Sequence, residues 1–435
     1  MIRNVINECK QLNKEYNYFN IIQEVKPLKK GELDGLLISV KDLICVKDVE
    51  TTASSDILRG YKPVFDATVV KKVREQGATI IGKTVCDTFG FGSFNTNVGN
   101  SFKIPKNPVD PSRVTGGSSG GGAGVTKSLG EKHAALVTST GGSIECPASF
   151  CGVIGFCPTY GLISRNGLID YANSLDKIGI MSTKVNIVKK VFDVIKGHDS
   201  KDNTSIKQKP KLFKEKKLKI GLIKESLKGM DDQVKKQFNN AVEKLKSKYD
   251  VEEVSLDFTF RYGIPTYYIL ATSEASTNLA KLSGMRYGVE ETVEEKSFNE
   301  YFTQVRSKNF NEETKRRIML GTFARMSGYR DAYYLKATKV RTLIIKEYKK
   351  LFKKYDVLIS PTMPVIAPKF EEVKKMTPLQ NYMMDILTVG PNIAGIPHAS
   401  IPVQKEGLPV GLMAMCDHLE ENKLFYFLKL VEESQ

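Results

Sequence analysis

The chain has 435 residues, 41% of them hydrophobic and 26% charged, a make-up that supplies a core and excludes fibrous and disordered classes. No apolar run nears the ~20 residues that span a bilayer and the start lacks a signal-peptide core, so a soluble protein with no membrane contact is expected, cytoplasmic or, in a eukaryote, organellar. The formal net charge of +16 favours polyanions at long range, but the densest basic run, KQKPKLFKEKKLK (207–219), has few aromatics to stack on bases and reads as a solvated linker.

In chain order, LDGLLISV (33–40) predicts a strand that ends at Lys41. DATVVKKVREQG (66–77) has helical spacing with a glycine stop, and ATIIGKT (78–84) is an apolar strand after it. GGSSGGGAG (116–124) is too rich in glycine for a stable helix interior and reads as a turn that lets the backbone approach something closely before a helix starts. AALVT (134–138) is a buried strand leading into STGGSIECPASFCG. Cys146, Cys151 and Cys157 crowd this region without a CxxC or CxxH pattern, so no metal is expected there; the odd total of seven fits reduced, buried thiols. Beyond a Lys-rich linker or insertion near 200–217, strands are expected at 218–223, 251–256, 356–362, 399–403 and 409–415, with helices at 232–248, 265–282 and 312–354. The alternation marks an α/β protein.

The chemistry is first narrowed by what is missing. Only His133, His198, His398 and His418 exist, none in a triad context, and no GxSxG marks a nucleophile elbow. The glycine-rich run has no Lys-Ser/Thr after it, which removes a nucleotide P-loop. Lysine is the other available base, provided burial or neighbouring positive charge strips its proton near neutral pH. Lys41 is the candidate, at the end of an apolar strand, while Asp42 should point to the opposite face. Ser119 and Ser143 both lie in glycine-rich turns, with one helix and one strand between them, which returns the chain to the same end of a sheet. If the second turn precedes a helix, the amides of Thr140, Gly141 and Gly142 can converge on an oxyanion, aided by the helix N-terminus.

DGLLISVKDLICVKDVETTASS, GATIIGKT, GGSSGGGAGV and STGGSIECPASFCGVIGFCPTYGLISRNGLIDYANSLDKIG together resemble the amidase signature family, over most of the chain. The resemblance implies one catalytic domain over 1–435, a single mixed β-sheet sandwiched between helices, and a Ser-Ser-Lys triad. In it Lys41 is the base, Ser119 the bridging serine on a cis peptide, and Ser143 the nucleophile. KRRIMLGTFARMSGYRDAYYLKATKVRTLI (315–344) is similar to the branch formed by the A subunits of Asp/Glu-tRNA amidotransferases. That branch implies a glutaminase in which Tyr267, Arg317 and Asp385 hold free glutamine. No metal or cofactor is expected in this chain itself, ATP and magnesium being used by a partner B subunit that also carries most of the tRNA contact, with a small C subunit bracing the pair. The chain departs from the family pattern at Ser139, where an Asp is usual, at Glu145, where an Arg is usual, and at Gly122, where a third serine is usual. Glu145 then adds a negative charge beside Asp176 that a lysine must compensate. A free-standing amidase on small acyl or aryl amides and a non-catalytic scaffold are the competing readings.

Overall fold

The computed structural model describes residues 2–290, 297–404 and 407–434. Its centre is one sheet of eleven strands: β1 (Phe19–Val25), β2 (Leu37–Lys41), β3 (Thr79–Thr84), β4 (His133–Ser139), β5 (Ile154–Cys157), β6 (Lys177–Ser182), β7 (Lys219–Ile223), β8 (Asp250–Val254), β9 (Val357–Pro361), β10 (His398–Pro402) and β11 (Gly411–Met415). They lie in the order β1-β3-β2-β4-β6-β5-β10-β11-β9-β7-β8, so strands from both halves of the sequence share one sheet. Pairing is parallel for β2 with β3 and β4 and for β7 with β8 and β9, and antiparallel elsewhere, which makes the sheet mixed as expected.

Both faces are covered, and alternate residues of one strand show it. In β4, Ala134 and Leu136 join a core with Val188, Val191 and Phe192 of the helix Val185–Ile195, while Ala135 and Val137 pack with Ala123 of the helix Gly120–Leu129 and Ala148 of the helix Glu145–Cys151. The same alternation sends Ile38 and Val40 of β2 into the first layer, so Ser39 and Lys41 point to the second, toward the glycine-rich helix. Strand parity alone therefore aims Lys41. Asp42 takes the other course, pairing with the buried ammonium of Lys83 at 3.1 Å.

The glycine-rich run corrects one expectation, because Gly120, Gly121, Gly122 and Gly124 lie inside a helix. Propensity loses here to packing. A Cβ on Gly121 would sit 2.5 Å from the Tyr18 carbonyl oxygen and 2.7 Å from that of Val85, and one on Gly124 would meet the Tyr18 ring. The glycines let this helix lie against backbone at a distance no other residue allows. The helical pattern over 312–354 is also interrupted, resolving into the helices Glu312–Arg325 and Lys336–Phe352 joined through Gly328, whose φ is +87°, and a π-turn at Asp331–Leu335. The Lys-rich stretch before β7 carries no helix or strand. No described helix is long and apolar enough to cross a membrane.

Candidate active site

β2 and β4 run side by side and parallel, and the ends of both, with the two glycine-rich turns, meet at one edge of the sheet. Lys41 is wholly buried there and its Nζ donates to Ser118 Oγ at 2.7 Å and to the carbonyl of Thr138 at 3.2 Å. The expectation that Ser119 meets Lys41 is thus corrected. The Ser119 hydroxyl instead donates to the Thr138 carbonyl at 3.2 Å, and the cis peptide bond of the turn joins Gly117 to Ser118. The physical reason is position: Ser119 caps the helix Gly120–Leu129, with its carbonyl taken by the amide of Ala123, while Ser118 is one residue further back in the turn.

Burial strips water from the Lys41 ammonium and pulls its pKa down to about 8, against the opposing influence of Cys86, Asp87, Asp176 and Glu145. No carboxylate among the described residues makes an ion pair with it. The nearby acids are shifted the other way. Burial raises Asp87 to about 6, opposed by the amides of Asn97 and Asn95, and raises Asp176 to about 7, although the Thr140 hydroxyl donates to it at 2.7 Å and the amides of Tyr171 and Ala172 at 2.8 and 2.9 Å.

Ser143 lies in the turn after β4 and is 7% exposed, where Lys41 and Ser118 are 0%. Among the described residues its hydroxyl has no hydrogen-bond partner, and the amides of Thr140, Gly141 and Gly142 meet no acceptor there either. Thr140 is anchored by Asp176, while Gly141 and Gly142 are pressed against other side chains: a Cβ on Gly141 would lie 2.5 Å from the Tyr267 ring and one on Gly142 2.3 Å from Thr388 Oγ1. The turn is held from outside, with its amides unspent. The helix that follows it has only seven residues, so its dipole adds little beside three oriented amides.

The departures at Ser139 and Glu145 have partners. The Ser139 hydroxyl donates to Glu145 Oε2 at 2.9 Å, and Glu145 Oε1 stands 2.6 Å from His398 Nε2. Burial alone would raise the Glu145 carboxyl; His398 and Lys177 outweigh it and hold the group at about 2. Lys177 offsets the added charge, and the buried His398 ring, whose own pKa burial lowers, packs against the same carboxylate.

The residues expected to hold glutamine fall in one polar cluster. Arg317 is buried, its Nε donating to Glu313 at 2.8 Å and its Nη1 to the Tyr171 hydroxyl at 2.6 Å. The rings of Phe91, Tyr171, Tyr268 and Tyr382 surround its guanidinium at 5.2–5.7 Å. Asp385 accepts from Ser93 at 2.9 Å and from the Tyr268 hydroxyl at 2.7 Å, and burial raises its pKa. Tyr268 therefore links the cation to the anion, and its ring packs on that of Tyr267. Tyr267 is the tyrosine that the family resemblance implies; Tyr268, Ser93 and Tyr171, which the sequence does not single out, are the residues that bond Asp385 and Arg317 here. A cleft of about 450 Å³ lined by Ser93, Arg317 and Tyr382 opens beside the cluster.

Comparison with known proteins gives the family. The family model described as Amidase matches residues 19–425. The A subunit of glutamyl-tRNA(Gln) amidotransferase from Archaeoglobus fulgidus is 47% identical over 407 residues, 93% of this chain and 87% of that protein. Its namesake from Sulfurihydrogenibium is 46% identical over 412 residues, 92% of this chain and 84% of that one. The crystal structure of the namesake from Thermotoga maritima superposes with a TM-score of 0.83 at 34% identity, covering 99% of this chain and 90% of that one. On a matched length that takes in every strand of the sheet and relatives this similar over nearly all of it, the chain belongs to the amidase family.

Proposed function

We propose that this chain is the glutamine-hydrolysing A subunit of a tRNA-dependent amidotransferase, with Ser143 as nucleophile, Ser118 as proton relay and Lys41 as base. The observation that carries the reading is the uncharged-leaning Lys41 amine bonded to Ser118 beside a turn whose amides are free to bind an oxyanion. The Ser143 oxygen attacks the side-chain amide carbon of glutamine while its proton passes through Ser118 to Lys41. The amides of Thr140, Gly141 and Gly142 take the oxyanion charge. As the tetrahedral species collapses the C–N bond breaks, the nitrogen receives the proton from Lys41 by the same relay, and ammonia leaves an acyl-enzyme. Water then releases glutamate along the reverse path.

Recognition of glutamine follows from the charge cluster. The Arg317 guanidinium suits the α-carboxylate, and Asp385 suits the α-ammonium, whose positive charge favours the ionised carboxylate that burial alone disfavours. Tyr267 packs against Gly141 of the nucleophile turn and against Tyr268 of that cluster, and so joins the two. The ammonia serves a B subunit that activates Glu-tRNA(Gln), or Asp-tRNA(Asn), with ATP and magnesium and carries most of the tRNA contact, with a C subunit bracing the pair; the chain itself uses no metal.

The test is ammonia release by the chain with its co-purifying partners, with and without Glu-tRNA and ATP, together with Arg317→Ala and Asp385→Ala. Release that rises with those ligands and falls by about 10²-fold or more in either variant is expected, the loss of a buried charged partner. Variants that hydrolyse glutamine as well as the parent would point to a free-standing amidase of neutral amides. A wild-type chain in which an electrophilic glutamine analogue leaves Ser143 unlabelled would point to a scaffold.

A further inference from the structure

The turn that carries Ser143 starts at Ser139, the last residue of β4, and ends at Glu145, the first residue of the following helix. A single carboxylate oxygen ties the two ends together. Glu145 Oε2 accepts from the Ser139 hydroxyl at 2.9 Å and from the amide of Ile144 at 3.3 Å. The other oxygen, Oε1, packs against His398 Nε2 at 2.6 Å and has no hydrogen-bond partner of its own among the described residues. His398 is itself oriented, since its Nδ1–H donates to the carbonyl of Ile396 at 2.9 Å, which turns Nε2 to the carboxylate.

The surrounding strands build this group from below. Lys177 of β6 is the register partner of Ser139 in β4, and His398 of β10 is the register partner of Cys157 in β5. The sheet order β4-β6-β5-β10 therefore puts Ser139, Lys177, Cys157 and His398 on four neighbouring strands, with Cys157 two residues out of step with Lys177. Glu145, Lys177 and His398 are all buried, and the Lys177 ammonium has no hydrogen-bond partner among the described residues, so its compensation is Coulombic, from the carboxylate above it. A buried carboxylate left without the Lys177 charge, or without the imidazole that confines it, would move or take up a proton, and either change releases the grip on both ends of the turn.

We infer that His398 and Lys177 are positioning residues, which lock the Glu145 carboxylate across the base of the nucleophile turn and so set the placement of Ser143 and the oxyanion amides. This deepens the proposed reaction and rests on Ser143 being its nucleophile. Glu145 Oε1, Cys157 Sγ and His398 Nε2 lie within 4.8 Å of one another, a spacing that a metal ion could also bridge. The buried Lys177 ammonium, which already offsets the carboxylate and would repel a metal cation, and the hold of Oε2 on both ends of the turn favour the clamp.

The measurement is steady-state glutamine hydrolysis by the assembled enzyme, with the rate at which an electrophilic glutamine analogue labels Ser143. His398→Ala and Lys177→Met are each expected to lower kcat and the labelling rate about tenfold or more with KM little changed, the scale of one buried contact to a charge. His398→Gln, which can donate to Glu145, is expected to recover to within about threefold of the parent on the same scale. Should His398→Ala fail to fold, Ser139→Ala removes only the hydroxyl across the turn and is expected to lower kcat several-fold. Wild-type kcat and labelling in His398→Ala or Ser139→Ala, a change in KM alone, or one equivalent of zinc in the purified protein that is lost with activity in Cys157→Ser, would each overturn the inference. Ser143→Ala separates it from the reading beneath: a parent whose glutaminase survives Ser143→Ala fails that reading, whatever the His398 variants do.

Discussion

Two lysines stand on adjacent strands at this edge of the sheet, both with 0% exposure, and they are treated oppositely. Lys83 is matched to Asp42 at 3.1 Å and also donates to Thr51 at 2.7 Å. Lys41 is given a hydroxyl and a carbonyl, which accept hydrogen bonds but carry no full charge, so desolvation prevails and the pKa falls to about 8. The amine acts as a base only when unprotonated, so kcat/KM for glutamine should fall about tenfold per unit as pH drops below 8 and level off above it. A profile flat from pH 6 to 9 contradicts that role. Lys41→Met should cost about 10²- to 10⁴-fold in kcat with glutamine affinity kept. At this scale Lys41 and Ser143 are singled out in the sequence by the strand end and the glycine context, and Arg317 and Asp385 by the family resemblance. The choice between Ser118 and Ser119 was not legible there, since neighbouring hydroxyls in one turn differ only in backbone torsion. His398 and Lys177 were illegible as a pair for another reason: their meeting depends on strand order, which no local pattern records.

Among the elements, the helix Gly120–Leu129 shows how far packing can override propensity. Gly121→Ala would gain about 1 kcal/mol in helix propensity but drives a methyl group into two carbonyl oxygens, at 2.5 and 2.7 Å from the built Cβ. Backbone at that distance cannot swing aside, so overpacking of about 1–3 kcal/mol or more should win, seen as a lower denaturation midpoint at an unchanged m-value. A stabilised Gly121→Ala protein would show that the helix has room to retreat. The strands that sequence reading placed, such as β2, β3, β4 and β9, are apolar runs bounded by turn residues, whereas β1, β5 and β6 went unrecognised. β5 is only four residues long and β6, like β5, is buried on both faces and contains a glycine, so neither offers the alternation by which a strand is read.

The whole molecule disperses its excess of positive charge. Within the basic run read as a linker, Lys216 pairs with Asp356 at 2.8 Å and Lys211 with Glu420 at 3.3 Å, so the stretch is tethered to the sheet end rather than free of it. These lysines are more than half exposed, and water and salt screen their pairs. Lys216→Ala should therefore change unfolding free energy by less than about 1 kcal/mol and leave glutamine hydrolysis unaltered; a larger loss would mean that the tether is structural.

The two kinds of machinery come from different stretches of the chain. Lys41, Ser118 and Ser143 belong to the first third, on β2 and the turns around β4, while Arg317, Asp385 and the tyrosine pair sit on helices and turns between β8 and β10. In the proposed reaction, bond cleavage and most of the choice of what is cleaved are in this way encoded by separate segments, which touch at Gly141–Tyr267, Ser93–Asp385 and Tyr171–Arg317. Descendants of such a scaffold can be retargeted to new amides chiefly through the later segment, with Lys41, Ser118 and Ser143 inherited intact.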